Sequence, residues 1–495
     1  MNTIIDNDLL SIQEARILAE NAREAQKLLA AFSQEKLDEI VDHMAEEVGK
    51  YAKELAVMSR DETDYGVWQD KYIKNRFVCE YLREKLKGMR CVGIIGKDDV
   101  EHTMDVGVPM GVLAALCPAT SPVSTTIYKA LIAVKSGNAV IFSPHPRAKN
   151  SVGRVLDILI ATAERYGLPE GAMSYLHTVT TAGTKELMNH PAVSMILITG
   201  VPSMLDEATK AGKPVLYGGA GNGPAFIERT ANIPQAVQDI IQSKTFDNGI
   251  VTAAEQSIVV DGPVANEVKR ELQKNGAYFM TEAESDRLGK LLFRENGRPD
   301  GEMAGKTAKY LAKRARINVP EDTVLLVSEQ RYVSDTNPYS REKLCPVLAY
   351  YVEDDWMHAC EKCIELLLSE RRGHTLVIHS KDEEVIRQFA LKKPVARVLV
   401  NTPATFGGMG ITTNLFPAMT LGSGSTGRGS TSDNVSPMNL IYVRKVGYGV
   451  RRMEDLFGPR PVEEASAVSS AGSCTKSQDE LLVLKNLLDK VLENH

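Results

Sequence analysis

Apolar residues at helical spacing mark the first part of the chain. Between residues 8 and 58 they recur three and four positions apart among charged residues, as in the stripe Leu18, Ala22, Ala25, Leu28 and Leu29. This pattern predicts amphipathic helices packed on a larger body, with more helix to about residue 86. Residues 91–95 and 103–108 then read as two strands around a Gly-Lys-Asp-Asp turn, which predicts a hairpin.

A strand, a loop, a helix and a second strand follow between residues 112 and 142, which is the order of a βαβ unit. Parallel strands of this kind bind ligands at their carboxyl ends, where residues 118–122 and 143–146 lie. The alternation recurs as far as the segment PVLYGG. It predicts a Rossmann-like domain over residues 1–235, with the hairpin at 91–108 attached. The usual glycine fingerprint for dinucleotides is missing, so a nicotinamide cofactor would have to be held in another way.

Strand and helix patterns continue through residues 236–436 and predict a second α/β domain. One of its helices is expected at residues 356–369. From residue 402 to residue 436 the composition shifts to Gly, Ser, Thr, Asn and Pro. Such a composition is typical of a long ordered loop that borders a site.

The last part of the chain changes character twice. Residues 437–457 contain one more strand, within NLIYVRKVGY. Residues 458–475 are small and polar, as in a flexible linker. Residues 476–495 place Leu481, Leu484, Leu488 and Val491 on one helical face. An amphipathic helix is therefore expected, and it would either dock on its own domain or bind a partner.

Composition narrows the class of protein. A chain of 495 residues with 43% hydrophobic and 25% charged residues is typical of a globular protein with two or three domains. The net charge of -6, with mixed signs, gives no reason to expect binding to nucleic acid or to an anionic membrane. No run approaches the roughly 18 apolar residues of a membrane span, and we expect a cytoplasmic protein.

The seven cysteines are scattered and odd in number, which favours free thiols in a reducing compartment. Cys360 and Cys363 form a C-x-x-C pair, but they fall within a helical pattern and no second pair completes a tetrahedral site. We interpret them as helix residues, and no metal site is expected.

The segment SKTFDNGIVTAAEQS at residues 243–257 is the most informative motif. It resembles the CoA-acylating aldehyde dehydrogenases, whose corresponding stretch has the form SKTFDNG-x-x-C-A-x-EQS. Further matching segments occur in the same order, namely STTIYKALIAVKSGNAVIFSPHPRAK, ILITG, GGAGNGP, REKLCPVLA with RRGHT, and NTPATFGGMGI through TLGSGS. The resemblance as a whole covers residues 10–455, with few apparent gaps. Thr252 stands where the family carries its nucleophilic cysteine.

The resemblance implies the aldehyde dehydrogenase fold, with residues 1–235 as the NAD-binding domain and residues 236–436 as the catalytic domain. It also implies that the hairpin at 91–108 and the return strand within 437–457 form an arm through which subunits pair, in a homodimer or a homotetramer. The expected cofactor is NAD, the expected co-substrate is coenzyme A, and the substrate class is short aldehydes.

Residue by residue, the resemblance places Ser143 and His145 beside the adenosine ribose of NAD. Thr199 and Gly200 begin the helix that faces the pyrophosphate, where backbone N–H groups suit an anion. Thr120 and Gly219 are further cofactor-binding positions.

Two more positions, Glu342 and His374, each have a functional and a purely structural interpretation. Glu342 matches the acidic residue that holds the nicotinamide ribose, and its alternative is a solvated surface glutamate. His374 lies near the nucleophile in related enzymes and could deprotonate the thiol of coenzyme A, and its alternative is a satisfied core histidine.

Two departures define the expected chemistry. Hydrolytic aldehyde dehydrogenases use a glutamate as the general base for water, and Gly218 occupies the corresponding position here. An acyl group would therefore wait for a thiol. A threonine hydroxyl at position 252 stays protonated without a dedicated base, so we expect the chain to be impaired in catalysis. We expect no other cysteine to replace the nucleophile, although Cys117 and Cys345 lie in motifs near the expected site and merit testing.

The alternative function is a catalytically inactive client or scaffold protein that keeps the fold and the cofactor site. A hydrolytic aldehyde dehydrogenase is disfavoured by Gly218. The linker and helix at 458–495 resemble the encapsulation peptides that bring such enzymes into bacterial microcompartments. Shell proteins are therefore expected partners, and a microcompartment is the expected location.

Overall fold

The computed structural model describes residues 6–294, 297, 299–370, 373–461, 482–483 and 485–486. The chain divides into two compact units, residues 1–446 and residues 447–495. The first unit holds a shell of N-terminal helices, a five-stranded sheet, a seven-stranded sheet and a three-stranded sheet. The α/β class expected from the sequence is confirmed.

The N-terminal helices begin where polar side chains cap them. Asp6 accepts hydrogen bonds from the backbone N–H groups of Asp8 and Leu9, and Ser33 accepts one from Lys36. Most of the predicted apolar stripe is buried, but Leu28 is 63% exposed. The helices are α1 Asn7–Leu29, α2 Gln34–Gly49, α3 Ala52–Thr63, α4 Trp68–Arg76 and α5 Arg83–Leu86, with a π-helical segment, Phe77–Leu82, before the last.

The predicted hairpin forms a three-stranded sheet with a strand from the end of the first unit. Strand β1, Gly93–Asp98, pairs antiparallel with β2, Thr103–Pro109, and β15, Ile441–Gly447, lies on the other side of β2. The connecting turn lies at residues 99–102 rather than at Gly-Lys-Asp-Asp. Lys97 and Asp98 are still paired with the opposite strand, so the hairpin is longer than expected.

The five-stranded sheet is entirely parallel, with the order β5-β4-β3-β6-β7. The chain adds β4 and β5 on one side of β3 and then β6 and β7 on the other side, as in a doubly wound sheet. The parallel sheet that the alternation of strands and helices predicted is therefore present. Its elements are β3 Val112–Leu116, α6 Pro122–Lys135, β4 Ala139–Ser143, α7 Lys149–Arg165, β5 Met173–Tyr175, α8 Thr181–Asn189, β6 Val193–Thr199, α9 Leu205–Lys210 and β7 Val215–Gly218.

The seven-stranded sheet is also parallel, with the order β10-β11-β12-β9-β8-β13-β14. Its first strand, Pro224–Ile227, precedes residue 235, so the change of sheet comes earlier than the domain boundary expected from the sequence. The elements are β8 Pro224–Ile227, α10 Ile233–Thr245, β9 Ser257–Asp261, α11 Ala265–Lys274, β10 Ala277–Phe279, α12 Glu282–Leu292, α13 Ala308–Arg314, β11 Leu325–Glu329, β12 Val347–Glu353, α14 Trp356–Ser369, β13 Thr375–His379, α15 Glu383–Lys392, β14 Arg397–Val400 and α16 Ala404–Met409.

In the second unit, α17 spans Met453–Phe457. Leu482, Val483, Lys485 and Asn486 are helical, and the side chains of Leu482 and Val483 are each 59% exposed. The rest of the linker and tail helix expected at 458–495, apart from residues 458–461, lies outside the described residues. None of the helices in the described part of the chain is long and apolar enough to cross a membrane.

Candidate active site

A strained turn places Thr252 at the edge of the core. Helix α10 ends at Thr245, and the next residues form a tight turn in which Asp247, Asn248 and Gly249 all have positive φ angles, of 49°, 53° and 72°. A side chain at Gly249 would also meet the Lys244 carbonyl oxygen and the Cys345 carbonyl group at 2.9 Å. Glycine is therefore required there, and the turn projects the following residues toward a cleft.

This cleft opens between the carboxyl ends of strands in the five-stranded sheet and the residues that follow the turn. Thr252 lines it together with Thr120, Thr199, Gly200 and Gly218. Another side is closed by the segment expected to be a long loop at 402–436, in which helix α16 contributes Met409 and the chain after it contributes Ala418, Met419 and Leu421. Three of the predicted cofactor positions thus lie beside the predicted nucleophile position, and the polar loop does border the site.

His374 contacts the side chain at the nucleophile position. Its Nε2 atom lies 3.5 Å from Thr252 Oγ1, and its Nδ1 atom lies 2.8 Å from Thr375 Oγ1. His374 is buried, whereas Thr252 is half-buried. Burial, reinforced by the charge of Arg397, holds the pKa of His374 well below its ordinary value. The imidazole is therefore neutral at physiological pH, and it is both a core histidine and a neighbour of Thr252.

A buried ion cluster fixes the strained turn. The carboxylate of Asp247 accepts hydrogen bonds from the ammonium groups of Lys71 and Lys74 and from the backbone N–H of Val67, and Asp70 accepts one from the Asp247 backbone. Burial alone would raise the pKa of Asp247, but the two lysines outweigh it and hold that pKa below its usual value. Burial also lowers the pKa of Lys71 to about 8.

The same lysines reach the cofactor side of the cleft. Lys71 donates to the Thr120 carbonyl oxygen at 2.9 Å, and Lys74 donates to Ser121 Oγ at 2.6 Å. The cluster therefore ties the loop after β3 to the turn before Thr252. Sequence reasoning missed it, although a charged residue between the apolar Phe246 and Ile250 is a signal for a buried partner.

The predicted helix at Thr199 and Gly200 begins later than expected. Thr199 is the last residue of β6, and Gly200 and Val201 have positive φ angles of 65° and 49°. A 3-10 turn, Pro202–Met204, then precedes helix α9. Thr199 Oγ1 lies 2.6 Å from Thr420 Oγ1, so the long polar loop packs directly on this strand end.

Ser143 ends β4 and His145 lies two residues beyond it, at the same edge of the sheet, but neither residue lines the cleft around Thr252. Ser143 Oγ is buried and lies 2.8 Å from Thr184 Oγ1. His145 Nδ1 accepts a hydrogen bond from the Arg147 backbone N–H, and burial lowers its pKa. The strand order puts both residues at the carboxyl edge, one strand away from Thr120.

Glu342 is buried rather than solvated. It is 3% exposed, and its Oε1 atom accepts a hydrogen bond of 2.9 Å from the Gly221 backbone N–H. The surface-glutamate alternative is therefore wrong. Gly219 lies in the same loop after β7, two residues before this contact, and a β-carbon there would meet the Tyr217 ring at 2.5 Å.

Gly218 has no room for a larger side chain. A β-carbon there would lie 2.9 Å from Thr420 Cγ2 and 3.1 Å from the Leu421 backbone nitrogen. Both contacts are closer than ordinary van der Waals distance, and two of the nearby atoms belong to the backbone. A glutamate base for water does not fit here without movement of the loop.

Neither candidate replacement thiol is available. Cys117 and Cys345 are both fully buried. Burial raises the pKa of Cys117, and it raises the pKa of Cys345 to about 11 in spite of two nearby lysines. Both thiols are protonated and shielded at neutral pH.

Cys360 and Cys363 lie on α14 and are buried, as the helical interpretation predicted. Among the residues that the structure describes, no group of three or more His, Cys, Asp or Glu side chains could hold a metal ion.

The donors around the cleft suit a polar cofactor. Thr125 lines the cleft near the start of α6, and its buried Oγ1 atom has no hydrogen-bond partner in the described part of the chain. Thr120 and Thr199 add two more hydroxyl groups. A buried hydroxyl without a partner is uncommon in folded proteins. These groups fit the ribose hydroxyls or the phosphates of a dinucleotide.

Comparison with known proteins agrees with this geometry. Residues 3–309 match the model of the aldehyde dehydrogenase family. A crystal structure of a probable aldehyde dehydrogenase from Listeria monocytogenes has a TM-score of 0.89 and is 47% identical, with 91% of this chain and 100% of that chain covered. An acetylating aldehyde dehydrogenase from Geobacillus thermoglucosidasius has a TM-score of 0.88 and is 41% identical, with 91% and 99% covered.

The chain is also 36% identical over 448 residues to the bifunctional aldehyde-alcohol dehydrogenase AdhE of Escherichia coli, with 90% of this chain covered. It spans about half the length of that relative, 50% of which is covered. The chain belongs to the aldehyde dehydrogenase family, and within it to the acylating aldehyde dehydrogenases.

Proposed function

We propose that this chain is a CoA-acylating aldehyde dehydrogenase whose activity is impaired by Thr252. Its reaction would convert a short aldehyde, NAD and coenzyme A into an acyl-CoA and NADH. The observation that carries the proposal is the position of Thr252, which lies in a cleft at the carboxyl edge of the five-stranded sheet and contacts His374. A nucleophile at this position would face both the cofactor and the incoming thiol.

The residues for NAD are proposed along the same edge. Ser143 and His145 would border the adenosine ribose, and Glu342 would hold the nicotinamide ribose. Thr120, Thr199, Gly200 and Gly219 would contact the part of the cofactor between them, where backbone and hydroxyl donors suit phosphate oxygens. When bound, NAD supplies the electron acceptor for aldehyde oxidation.

The acyl acceptor is proposed to be the thiol of coenzyme A rather than water. Hydrolysis needs a general base near the acyl group, and Gly218 supplies none. The tight contacts of Gly218 with Thr420 and Leu421 also leave no space for such a side chain. An acyl group on the residue at position 252 would therefore persist until a thiol attacked it.

Thr252 weakens the first step, the attack on the aldehyde carbonyl. A cysteine thiol has a pKa near 8.5 and is partly ionised at neutral pH, whereas an alkyl hydroxyl is not. His374 is neutral and does not ionise the Thr252 hydroxyl. Loss of a covalent nucleophile costs on the order of a million-fold in other enzymes, and we expect a loss of that order here.

Thr252 also favours a second candidate function. A chain that keeps the fold and the cofactor site without the thiol would act as a catalytically inactive client or scaffold protein. It would bind NAD and partner subunits, and its role would be to occupy a place in an assembly. The two candidates differ in what a restored thiol should do.

The assembly itself is part of the proposal. The exposed three-stranded sheet would pair with another copy in a homodimer or homotetramer. The leucine face at 476–495 would bind a shell protein of a bacterial microcompartment, with the linker at 458–475 giving it reach. A helix of roughly 20 residues is only marginally stable alone, so such an apolar face needs a partner.

The test is to assay Thr252→Cys, Thr252→Ser and the parent chain with a panel of short aldehydes, with and without coenzyme A. The expected result is NADH formation that requires coenzyme A in Thr252→Cys alone, with the acyl group labelled on the new cysteine. Inert Thr252→Cys protein that still binds NAD would favour the scaffold function. NADH formation that is independent of coenzyme A would contradict the choice of acyl acceptor.

A further inference from the structure

Three buried side chains form a hydrogen-bonded row that ends at position 252. Arg397 Nη1 donates to Thr375 Oγ1 at 3.3 Å, Thr375 Oγ1 lies 2.8 Å from His374 Nδ1, and His374 Nε2 lies 3.5 Å from Thr252 Oγ1. Thr375 and His374 are each 1% exposed. Bulk water is therefore not a partner for either of them.

The direction of these hydrogen bonds can be assigned by counting donors. A guanidinium group only donates, so Thr375 Oγ1 accepts from Arg397. The hydroxyl has one hydrogen of its own to donate. Among the described residues, His374 Nδ1 is the one acceptor that Thr375 Oγ1 contacts. If Nδ1 carried a proton instead, the Thr375 hydrogen would be a buried donor without an acceptor, which folded proteins rarely tolerate.

We propose that Thr375, held by Arg397, fixes His374 in the tautomer with the proton on Nε2, so that His374 donates a hydrogen bond to the reacting atom at position 252. The identity of that atom rests on the proposed function, whereas the tautomer does not. Thr375 and Arg397 are then positioning residues, and His374 is the group that touches the reacting atom.

This assignment changes the role of His374. An imidazole with its Nε2–H pointing at position 252 and its Nδ1 occupied by Thr375 has no free lone pair, so it is not a base for the thiol of coenzyme A. This role as a hydrogen-bond donor would replace the role as a base for coenzyme A that the resemblance implies for His374. With Thr252 in place, the threonine oxygen accepts the Nε2–H and its own proton is not removed. With a cysteine there, the Nε2–H would stabilise the thiolate.

The neutral state of His374 fits this arrangement. Its pKa lies well below the ordinary value because the ring is buried, and the nearby positive charge of Arg397 adds to the effect. A neutral ring has one N–H and one lone pair, and which nitrogen carries the proton is set by the partner of the other.

The direct test is the tautomer itself, read by ¹⁵N NMR of the parent chain labelled with ¹⁵N-histidine. The His374 signals are identified by their absence in His374→Gln. The expected spectrum has a protonated Nε2 and an unprotonated Nδ1, which resonate far apart. Thr375→Ser keeps the hydroxyl and should keep the pattern. Thr375→Val has nearly the same shape without the hydroxyl, and it should show a mixture of tautomers or the Nδ1–H form.

Two outcomes overturn the proposal. One is a parent chain in which Nδ1 carries the proton. The other is a Thr375→Val spectrum indistinguishable from that of Thr375→Ser, because Thr375 would then not determine the tautomer. The spectra require no turnover, so they remain informative even if the proposed enzymatic function fails.

A pH profile supplies a second readout. In the Thr252→Cys background, the rate of alkylation by iodoacetamide reports the thiolate fraction of the new cysteine. The midpoint should lie below the ordinary value near 8.5. It should rise in Thr252→Cys/Thr375→Val and stay unchanged in Thr252→Cys/Thr375→Ser. An unchanged midpoint in the valine variant would overturn the donor role, and thermal melting of all variants checks that each is folded.

Discussion

The ammonium group of Lys71 lies 3.1 Å from the carboxylate of Asp247, and both side chains are almost completely shielded from solvent, at 3% and 0% exposure. The two residues are 176 positions apart in the chain. Lys74 shares the same carboxylate oxygen. This contact ties an N-terminal helix to the turn that carries Thr252, so the site depends on a charge balance that forms only in the folded protein.

Replacement of Asp247 by asparagine should be strongly destabilising. It would leave two buried ammonium groups without their anion, a change that costs about 3–5 kcal/mol in comparable proteins. Urea unfolding measures the loss. The matched control is Asp105→Asn, which removes the half-buried partner of the exposed Lys445 and should change stability by less than about 0.5 kcal/mol. Equal effects of the two variants would contradict the importance of the buried cluster.

The same cluster predicts that the protein loses stability at acidic pH. The pKa of Asp247 is held below its unfolded value by Lys71 and Lys74 against the effect of burial. Its contribution to stability is therefore present above the unfolded pKa and is lost as the pH falls through the folded one. Asp247→Asn should show a smaller drop in stability than the parent over that acidic range.

Lys129 predicts a rise in stability at alkaline pH. Its ammonium group is buried beneath the five-stranded sheet and donates to the carbonyl oxygens of Leu116 and Leu197. Burial lowers its pKa to about 8. Between that value and an unfolded pKa of about 10.4, the unfolded chain binds more protons, so stability increases with pH.

The expected gain from Lys129 is up to about 3 kcal/mol across this window, from roughly 1.4 kcal/mol for each unit of pKa difference. Lys129→Met should lack that part of the rise. Unfolding free energies of both proteins at pH 7.5 and at the alkaline end of the window, obtained from urea titrations, provide the comparison. Parallel pH profiles would show that Lys129 does not titrate there.

Gly218→Ala should destabilise the protein even though alanine is a small residue. Its β-carbon would meet Thr420 Cγ2 at 2.9 Å and the Leu421 backbone at 3.1 Å. Overpacking of this kind costs about 1–3 kcal/mol. Gly447→Ala is the control, because a β-carbon at Gly447 meets nothing within 4 Å. Equal unfolding temperatures of the two variants would mean that residues 420–421 move to accommodate the new methyl group at little cost.

NAD binding should survive in the parent chain, because Thr252 lines the same cleft as three of the proposed cofactor residues but is not itself one of them. Isothermal titration calorimetry with the parent and with Thr252→Cys should give similar dissociation constants, in the micromolar to millimolar range usual for enzyme ligands. Thr199→Val, which removes a cleft hydroxyl, should weaken binding in both backgrounds. A parent chain that fails to bind at millimolar NAD would refute the cofactor assignment.

The C-terminal segment should act as a recruitment signal. A fluorescent protein fused to residues 459–495 should form puncta when shell proteins are co-expressed, and fluorescence microscopy measures the fraction of cells with puncta. A fusion with Leu484→Glu and Leu488→Glu loses the apolar face and should stay diffuse. Equal recruitment of both fusions, or diffuse fluorescence of both, would rule out the encapsulation hypothesis.

Periodicity and motif order were enough to predict the architecture from the sequence. The strands of the five-stranded sheet are short apolar runs flanked by turn residues, and helices such as α7 show an apolar and a polar face, so each of these elements is encoded locally. The segment SKTFDNGIVTAAEQS likewise identified position 252, since the surrounding motif occupies consecutive residues. Gly218 could be assigned in the same way. The strands, the helices and these motif positions are determined by residues that lie close together in the chain.

Contacts between distant residues were decided by the tertiary structure alone. Asp247 meets Lys71 and Lys74 only because helix α4 packs against the turn, and a charged residue in a sequence does not specify its partner. Glu342 turned out to be buried against the Gly221 backbone for the same reason. The tautomer proposed for His374 depends on Arg397, which arrives from a neighbouring strand of the seven-stranded sheet. The sequence by itself determined the fold class and the position proposed for the nucleophile, whereas burial and hydrogen-bond direction, which set the charge and the role of each group, arise only when the strands and helices pack together.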